Sequence, residues 1–177
     1  MREELDKKLC ADYPEIFRDR HADMRLTCMC WGFDCGDGWY PLIDSLCFLL
    51  SANVISLQRD VEHISSAMKE ESNKENQSIW AKNYYTQDTL NKKLSELDKA
   101  KKAVPVATQV KEKFGTLRFY VDKATDKQYN FITFAEVMSG KTCETCGTTK
   151  DVFQTRGWIK TTCVTCSPEE WIEHNSD

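Results

Sequence analysis

Two cysteine pairs toward the C-terminal end constrain this chain more than any other feature. Cys143-Glu-Thr-Cys146-Gly147 and Cys163-Val-Thr-Cys166 are Cys-x-x-Cys units with sixteen residues between them. Four thiolates at that spacing converge tetrahedrally on one zinc, whereas a thioredoxin-like redox pair needs a strand and a helix around a single unit. A zinc with four thiolates keeps no open position, so the expected ion is structural. Gly147 suits the sharp turn after the first pair. Residues 152–156 and 158–162 flank Gly157 as a hairpin. Ser167-Pro168-Glu169-Glu170 carries the cap, proline and glutamate of a helix start, and Trp171 can fold back on the ribbon. Residues 141–177 are therefore expected to be a C-terminal zinc ribbon, with Cys143, Cys146, Cys163 and Cys166 holding one structural Zn2+.

The most basic and aromatic decapeptide lies upstream: Lys111-Glu112-Lys113-Phe114-Gly115-Thr116-Leu117-Arg118-Phe119-Tyr120. Leu117, Phe119 and Val121 alternate with Arg118 and Tyr120, a strand with one apolar and one polar-aromatic face. Val104, Val106, Thr108 and Val110 alternate as a second strand, with Pro105 near its start, where proline is tolerated. Lys113-Phe114-Gly115 reads as the tight turn between them, giving an antiparallel hairpin over 104–122. Residues 101–127 hold seven Lys/Arg against three Asp/Glu, in a chain of net charge −4. A basic patch on an acidic body suits a phosphate-bearing ligand of limited size better than a long duplex, although a lysine-rich face can also be only solvated surface.

Residues 28–39 read Cys-Met-Cys-Trp-Gly-Phe-Asp-Cys-Gly-Asp-Gly-Trp, dense turn chemistry directly before a helix. Backbone amides in such a loop suit anions. Pro41 marks the helix start, and Leu42, Ile43, Leu46, Leu50, Val54, Leu57, Val61 and Ile64 recur at helical spacing. A central core helix is expected from 40 to about 68. The N-terminal 2–20 predicts a short helix broken at Pro14, with a packed turn at Ile16-Phe17. A polar loop follows at 69–78. Ile79, Trp80, Tyr84 and Tyr85 form an aromatic cluster, and Thr86 or Asp88 caps a helix with Leu90, Leu94 and Leu97 on one face. A last helix carries Tyr129, Ile132, Phe134, Ala135, Val137 and Met138 and ends at Gly140. The fold class is α+β: a helical body around one long core helix, a small antiparallel β-hairpin and the ribbon. Residues 1–140 form the ligand- or partner-binding domain, with 69–100 as an exposed polar loop and helix.

The chain has 177 residues, 41% of them hydrophobic and 29% charged, which suits one compact domain and a small accessory module. No uninterrupted apolar run reaches membrane-spanning length, and Met1–Lys8 has no apolar core of a secretory signal. A reducing cytoplasm is expected, so the nine cysteines point to metal ligation and thiols, not disulfides. Cys28, Cys30 and Cys35, with Cys10 or His21, could make a second metal site, or be a set of buried thiols. The sequence holds no nucleophile elbow, Walker loop, dinucleotide glycine fingerprint or His-Glu-x-x-His. His21, His63 and His174 are scattered, and Asp37 reads as a turn residue. No enzyme is expected.

With the Gly-Phe-Asp-Cys-Gly-Asp-Gly-Trp loop, the Lys-x-Lys-Phe-Gly-Thr-Leu-Arg-Phe-Tyr strand and the paired cysteines in view, the chain resembles a set of small proteins encoded by bacteriophages and prophages. The resemblance spans most of its length and is weakest over 69–100. It implies action in the cytoplasm of an infected bacterium and a role outside the virion, and it supplies no site. The leading expectation is a non-catalytic counter-defence protein that sequesters a phosphate-bearing nucleotide signal, with Trp31, Asp37, Gly38, Trp39, Lys111, Lys113, Phe114, Arg118 and Tyr120 as ligand-binding residues. Arginine can grip phosphate bidentately, lysine adds a point charge and the aromatics stack on a base. The alternatives are a nucleic-acid-binding zinc-ribbon accessory protein and a protein–protein inhibitor of a host defence factor, acting through Trp80, Tyr84 and Tyr85 or the ribbon surface.

Overall fold

A computed structural model of the chain describes residues 1–69 and 78–168. In chain order its elements are α1 (Glu3–Asp12), β1 (Phe33–Asp34), α2 (Tyr40–Lys69), α3 (Ile79–Tyr84), α4 (Gln87–Ala103), β2 (Ala107–Lys113), β3 (Thr116–Val121), α5 (Asp126–Ser139), β4 (Val152–Gln154) and β5 (Thr161–Cys163). They cluster into two units, Met1–Leu50 with Pro105–Asp177, and Ser51–Val104. The described part of the expected ribbon thus belongs with the N-terminal fifty residues and the hairpin, and the expected polar segment falls in the second unit.

In the first unit, α1 opens with Glu3, Glu4 and Asp6, which suit the positive end of the helix dipole, and stops before Pro14. Ile16 and Phe17 then turn into the core. Asp6 and Arg20 form a largely buried ion pair at 2.6 Å, and Arg20 also donates to the Cys30 carbonyl oxygen at 3.0 Å. The first half of α2 buries Ile43, Leu46, Cys47 and Leu50. By length and composition alone α2 also meets the test for a membrane-crossing helix, its most apolar 18-residue stretch having a mean hydropathy of 1.5, a test that the core helix of a folded domain passes equally.

The sheet has strand order β1-β2-β3, with β1 parallel and β3 antiparallel to β2. Its inner face is Phe33, Val110, Leu117 and Phe119, and Phe17 meets Phe33 and Phe119 edge-on at 5.0 and 6.3 Å. Lys111 lies opposite Arg118, and Gln109 opposite Tyr120, on the other face. The β2–β3 turn holds two residues, Phe114 (φ +53°) and Gly115 (φ +75°), the double positive φ that a type I′ turn requires. Gly115 meets that demand without strain, and Phe114 does not.

The outer edge of β3 would expose backbone amides that invite another strand. α5 closes it with side chains. Ser139 Oγ accepts from Leu117 N at 2.7 Å and donates to the Glu136 carbonyl oxygen at 2.6 Å, while Glu136 Oε1 accepts from Phe119 N at 3.0 Å. A Thr125/Gln128 capping box starts α5 at the length that brings Ser139 to this edge. β4 and β5 pair antiparallel, but each is only three residues long. Thr155 organises the loop between them: its hydroxyl donates to the Trp158 carbonyl oxygen at 2.6 Å and accepts from Lys160 N at 2.9 Å.

In the second unit, Val54 and Ile64 on α2 and Ala100 on α4 are buried, and Lys93 pairs with Asp60 at 2.9 Å. Thr86 is the N-cap of α4. The aromatic cluster packs largely on itself: Trp80 stacks on Tyr84 at 4.9 Å, and Tyr85 hydroxyl lies 2.9 Å from His63 Nε2. The loop expected at 69–78, apart from its two ends, and the helix expected after Pro168 lie outside the described residues.

Ser139→Ala leaves the Leu117 amide without its acceptor in a buried position, at a cost of roughly 1–3 kcal/mol. Denaturant unfolding is expected to show that loss, and amide exchange to accelerate first at Leu117.

Candidate metal centre

Cys143 follows the end of α5, Cys163 closes β5, and each starts a turn that carries its partner cysteine. The four sulfurs of Cys143, Cys146, Cys163 and Cys166 all lie within 4.8 Å of one another, and the Cys146 and Cys163 sulfurs are 3.7 Å apart. A tetrahedral zinc with bonds of ~2.3 Å separates its sulfurs by about 3.8 Å, close enough to these spacings that the set could hold one metal ion. Backbone bonds shape both turns: Gly147 N donates to Cys143 O at 2.9 Å, and Cys166 N and Ser167 N each donate to Cys163 O at 3.0 Å. Cys143 and Cys163 are buried, whereas Cys146 and Cys166 lie nearer the surface.

Electrostatics match that reading. Burial pushes the Cys143 thiol up, but the backbone N–H groups of Cys146, Thr145 and Cys163 and the Cys146 thiol outweigh it and bring it down to about 6. Hydrogen bonds with Cys146 and Cys163, helped by burial, push Cys166 up to about 12. With protein groups alone, one sulfur can carry negative charge only while its neighbour keeps a proton. A dication removes that conflict and lets all four ligate as thiolates.

The glycine loop expected to face a ligand faces this centre instead. Gly38 N donates to Glu144 O at 2.8 Å, Gly36 N donates to Glu144 Oε1 at 2.9 Å, and Trp39 Nε1 donates to Thr142 O at 2.8 Å. A β-carbon on Gly38 would overlap the Cys143 carbonyl oxygen and come within 2.5 Å of Gly147 N. The Gly36 amide thus meets the chain's own Glu144 carboxylate, whose pKa burial raises, partly offset by that amide, and the Gly38 amide meets the Glu144 backbone carbonyl. Three expected ligand residues therefore have internal roles. Trp39 is fully buried, Gly38 is buried against the first cysteine turn, and Asp37 accepts from Arg2 N at 2.7 Å and pairs with its guanidinium.

The remaining expected residues lie elsewhere. Lys111 and Arg118 sit mid-sheet, with Tyr120 further along β3. Lys113 and Phe114 sit at the turn, where the ammonium lies 5.4 Å from the ring centroid. Trp31 is exposed beside Met24 and Arg25, which also line a cleft reaching Tyr120. Cys28, Cys30 and Cys35 do not gather: among the described residues the paired C-terminal cysteines form the metal-capable group. Cys30 donates to Thr27 O, and burial pushes Cys35 up to about 12.

Sequence reasoning passed over Glu144 and Thr142, which receive the glycine loop. The acidic residue inside the first Cys-x-x-Cys unit was the available signal. No protein-family model matches the chain, and no curated protein or solved structure is significantly similar to it.

Gly38→Ala is expected to lower metal content and thermal stability together, because the added carbon has only backbone to displace. Metal removal by a chelator is expected to speed amide exchange at Gly36 and Gly38 and to expose Trp39, read by hydrogen exchange and tryptophan emission. An unchanged loop after metal loss would break this coupling.

Proposed function

We propose that this chain is a non-catalytic binding protein in which a structural zinc, held in a ribbon, supports a small sheet whose outer face takes a phosphate-bearing ligand. Zinc is the natural ion for four thiolates, and a filled tetrahedron offers no position to a substrate. The observation that carries the proposal is the outer face itself. Lys111 and Arg118 are direct cross-strand partners, with Lys113 and Tyr120 on the same face, and among the described residues no carboxylate forms a salt bridge with any of the three cations. Arg118 donates from one guanidinium nitrogen to Thr116 Oγ1 at 2.7 Å and to Leu117 O at 2.8 Å, which holds the group in place while its other donors have no partner among the described residues.

Two sources share this chemistry, a small nucleotide and the backbone of a single strand. In the phage setting that the resemblance implies, the first would be a nucleotide signal held away from its receptor. Calorimetry with AMP and with a short oligodeoxyadenylate separates them, since strand binding falls steeply with salt. Arg118→Ala is expected to weaken the preferred ligand about 10- to 150-fold, the loss of one charge-assisted contact of ~1.5–3 kcal/mol, with the thermal midpoint unmoved. Wild-type affinity in this variant would overturn the proposal.

A further inference from the structure

We infer that the cleft between the tips of the β2–β3 and β4–β5 hairpins is a stacking site for one nucleobase, held between Phe114 and Trp158; the inference rests on the phosphate-ligand reading above. The cleft measures about 360 Å3 and is lined by Glu112, Lys113, Phe114, Gly157, Trp158 and Ile159. That volume lies at the small end of ligand pockets, which run from ~300 to ~1,000 Å3. Phe114 is 68% exposed and Trp158 is 76% exposed. The two rings are not packed on one another, in contrast to Trp80 and Tyr84.

Three features show a built site and not two stray aromatics. Phe114 occupies a left-handed turn position that asparagine or glycine fills at lower cost, and it gains no burial in return. The tips are clasped below the cleft: Thr161 Oγ1 donates to the Gly115 carbonyl oxygen, and Gly115 approaches Ile159 so closely that a β-carbon would lie 2.8 Å from its methyl group. The Trp158 backbone is held from its own side, its carbonyl oxygen accepting from the Thr155 hydroxyl.

Charge gives the ligand its direction. Glu112 lines the cleft, with one carboxylate oxygen committed to Gly115 N at 2.6 Å, so a phosphate is disfavoured inside it. Lys113 also lines the cleft, and its side chain lies on the sheet face that carries Lys111 and Arg118. The uncharged base therefore enters the cleft and the phosphate lies over the cations. Stacking of this kind tolerates any base, because each has a π-face.

The test uses the full zinc-loaded chain with AMP, or with short oligodeoxyadenylate if that is the tighter ligand, and ribose 5-phosphate as the base-free control. Trp158→Ala is expected to weaken AMP about tenfold or more, toward the affinity of ribose 5-phosphate, while Trp158→Phe stays within about threefold of wild type. Phe114→Asn is expected to raise the thermal midpoint while weakening AMP, a pairing that a purely structural phenylalanine would not give. If Trp158→Ala and Phe114→Asn bind like wild type while Arg118→Ala does not, the cleft is not the base site and the phosphate reading survives. A lowered midpoint in Phe114→Asn also overturns the inference. A wild-type protein that binds none of these probes overturns both.

Discussion

The contact on which the first unit depends is backbone against backbone. Gly38 lies so near the Cys143–Gly147 turn that no side chain fits at either glycine. The amides of Gly36 and Gly38 are satisfied there by Glu144, and the Trp39 indole by Thr142. This one approach buries the largest side chain in the core and gives the cysteine centre a wall on its protein side. It also sets the start of α2, because Tyr40 follows directly from the packed loop. A metal ion here would therefore organise far more than two short strands, since the loop docked on it leads straight into the longest helix.

The sheet is small, and every part of its surface is assigned. One face is committed to Phe17, Phe33, Val110, Leu117 and Phe119. One edge is closed by Ser139 and Glu136, which take the amides that a further strand would need. The turn end is clasped to the second hairpin through Gly115 and Thr161. What is left is the face bearing Lys111, Arg118 and Tyr120, and the cleft beside Phe114. Among the described residues these cations have no carboxylate partner, which leaves this face open.

Local patterns made much of this legible. The cysteine spacing pointed to the four sulfurs that converge, helical periodicity located α2 almost to its last residue, and alternation separated the faces of β3 correctly. Phe114-Gly115 read as a tight turn because glycine's backbone freedom is a property of one residue. The glycine loop was misread for the opposite reason. Gly36-Asp37-Gly38 carries the same local signal whether its amides meet an external anion or the carboxylate and carbonyl oxygens of a residue in the same chain, and only the fold brings Glu144 to it. Strand β1 escaped notice because two residues hold no period, and its partner lies on β2, far along the chain. The boundary expected at residue 140 follows the end of a helix at Gly140 and the start of the cysteine pairs, while the compact units follow contacts, which tie the cysteine turns to the N-terminal loop.

The span between Gly36 and Glu144 has a consequence for biosynthesis. The two residues are 108 positions apart. At a translation rate of ~5–20 residues per second, roughly 5–20 seconds separate the emergence of the glycine loop from that of its acceptor. Through that interval Trp39 and the start of the long apolar helix have no docking surface, and a nascent chain in this state is a natural client for ribosome-associated chaperones. Contacts of such sequence separation also slow folding itself. The glycine loop is thus made well before the cysteine turn that completes its packing.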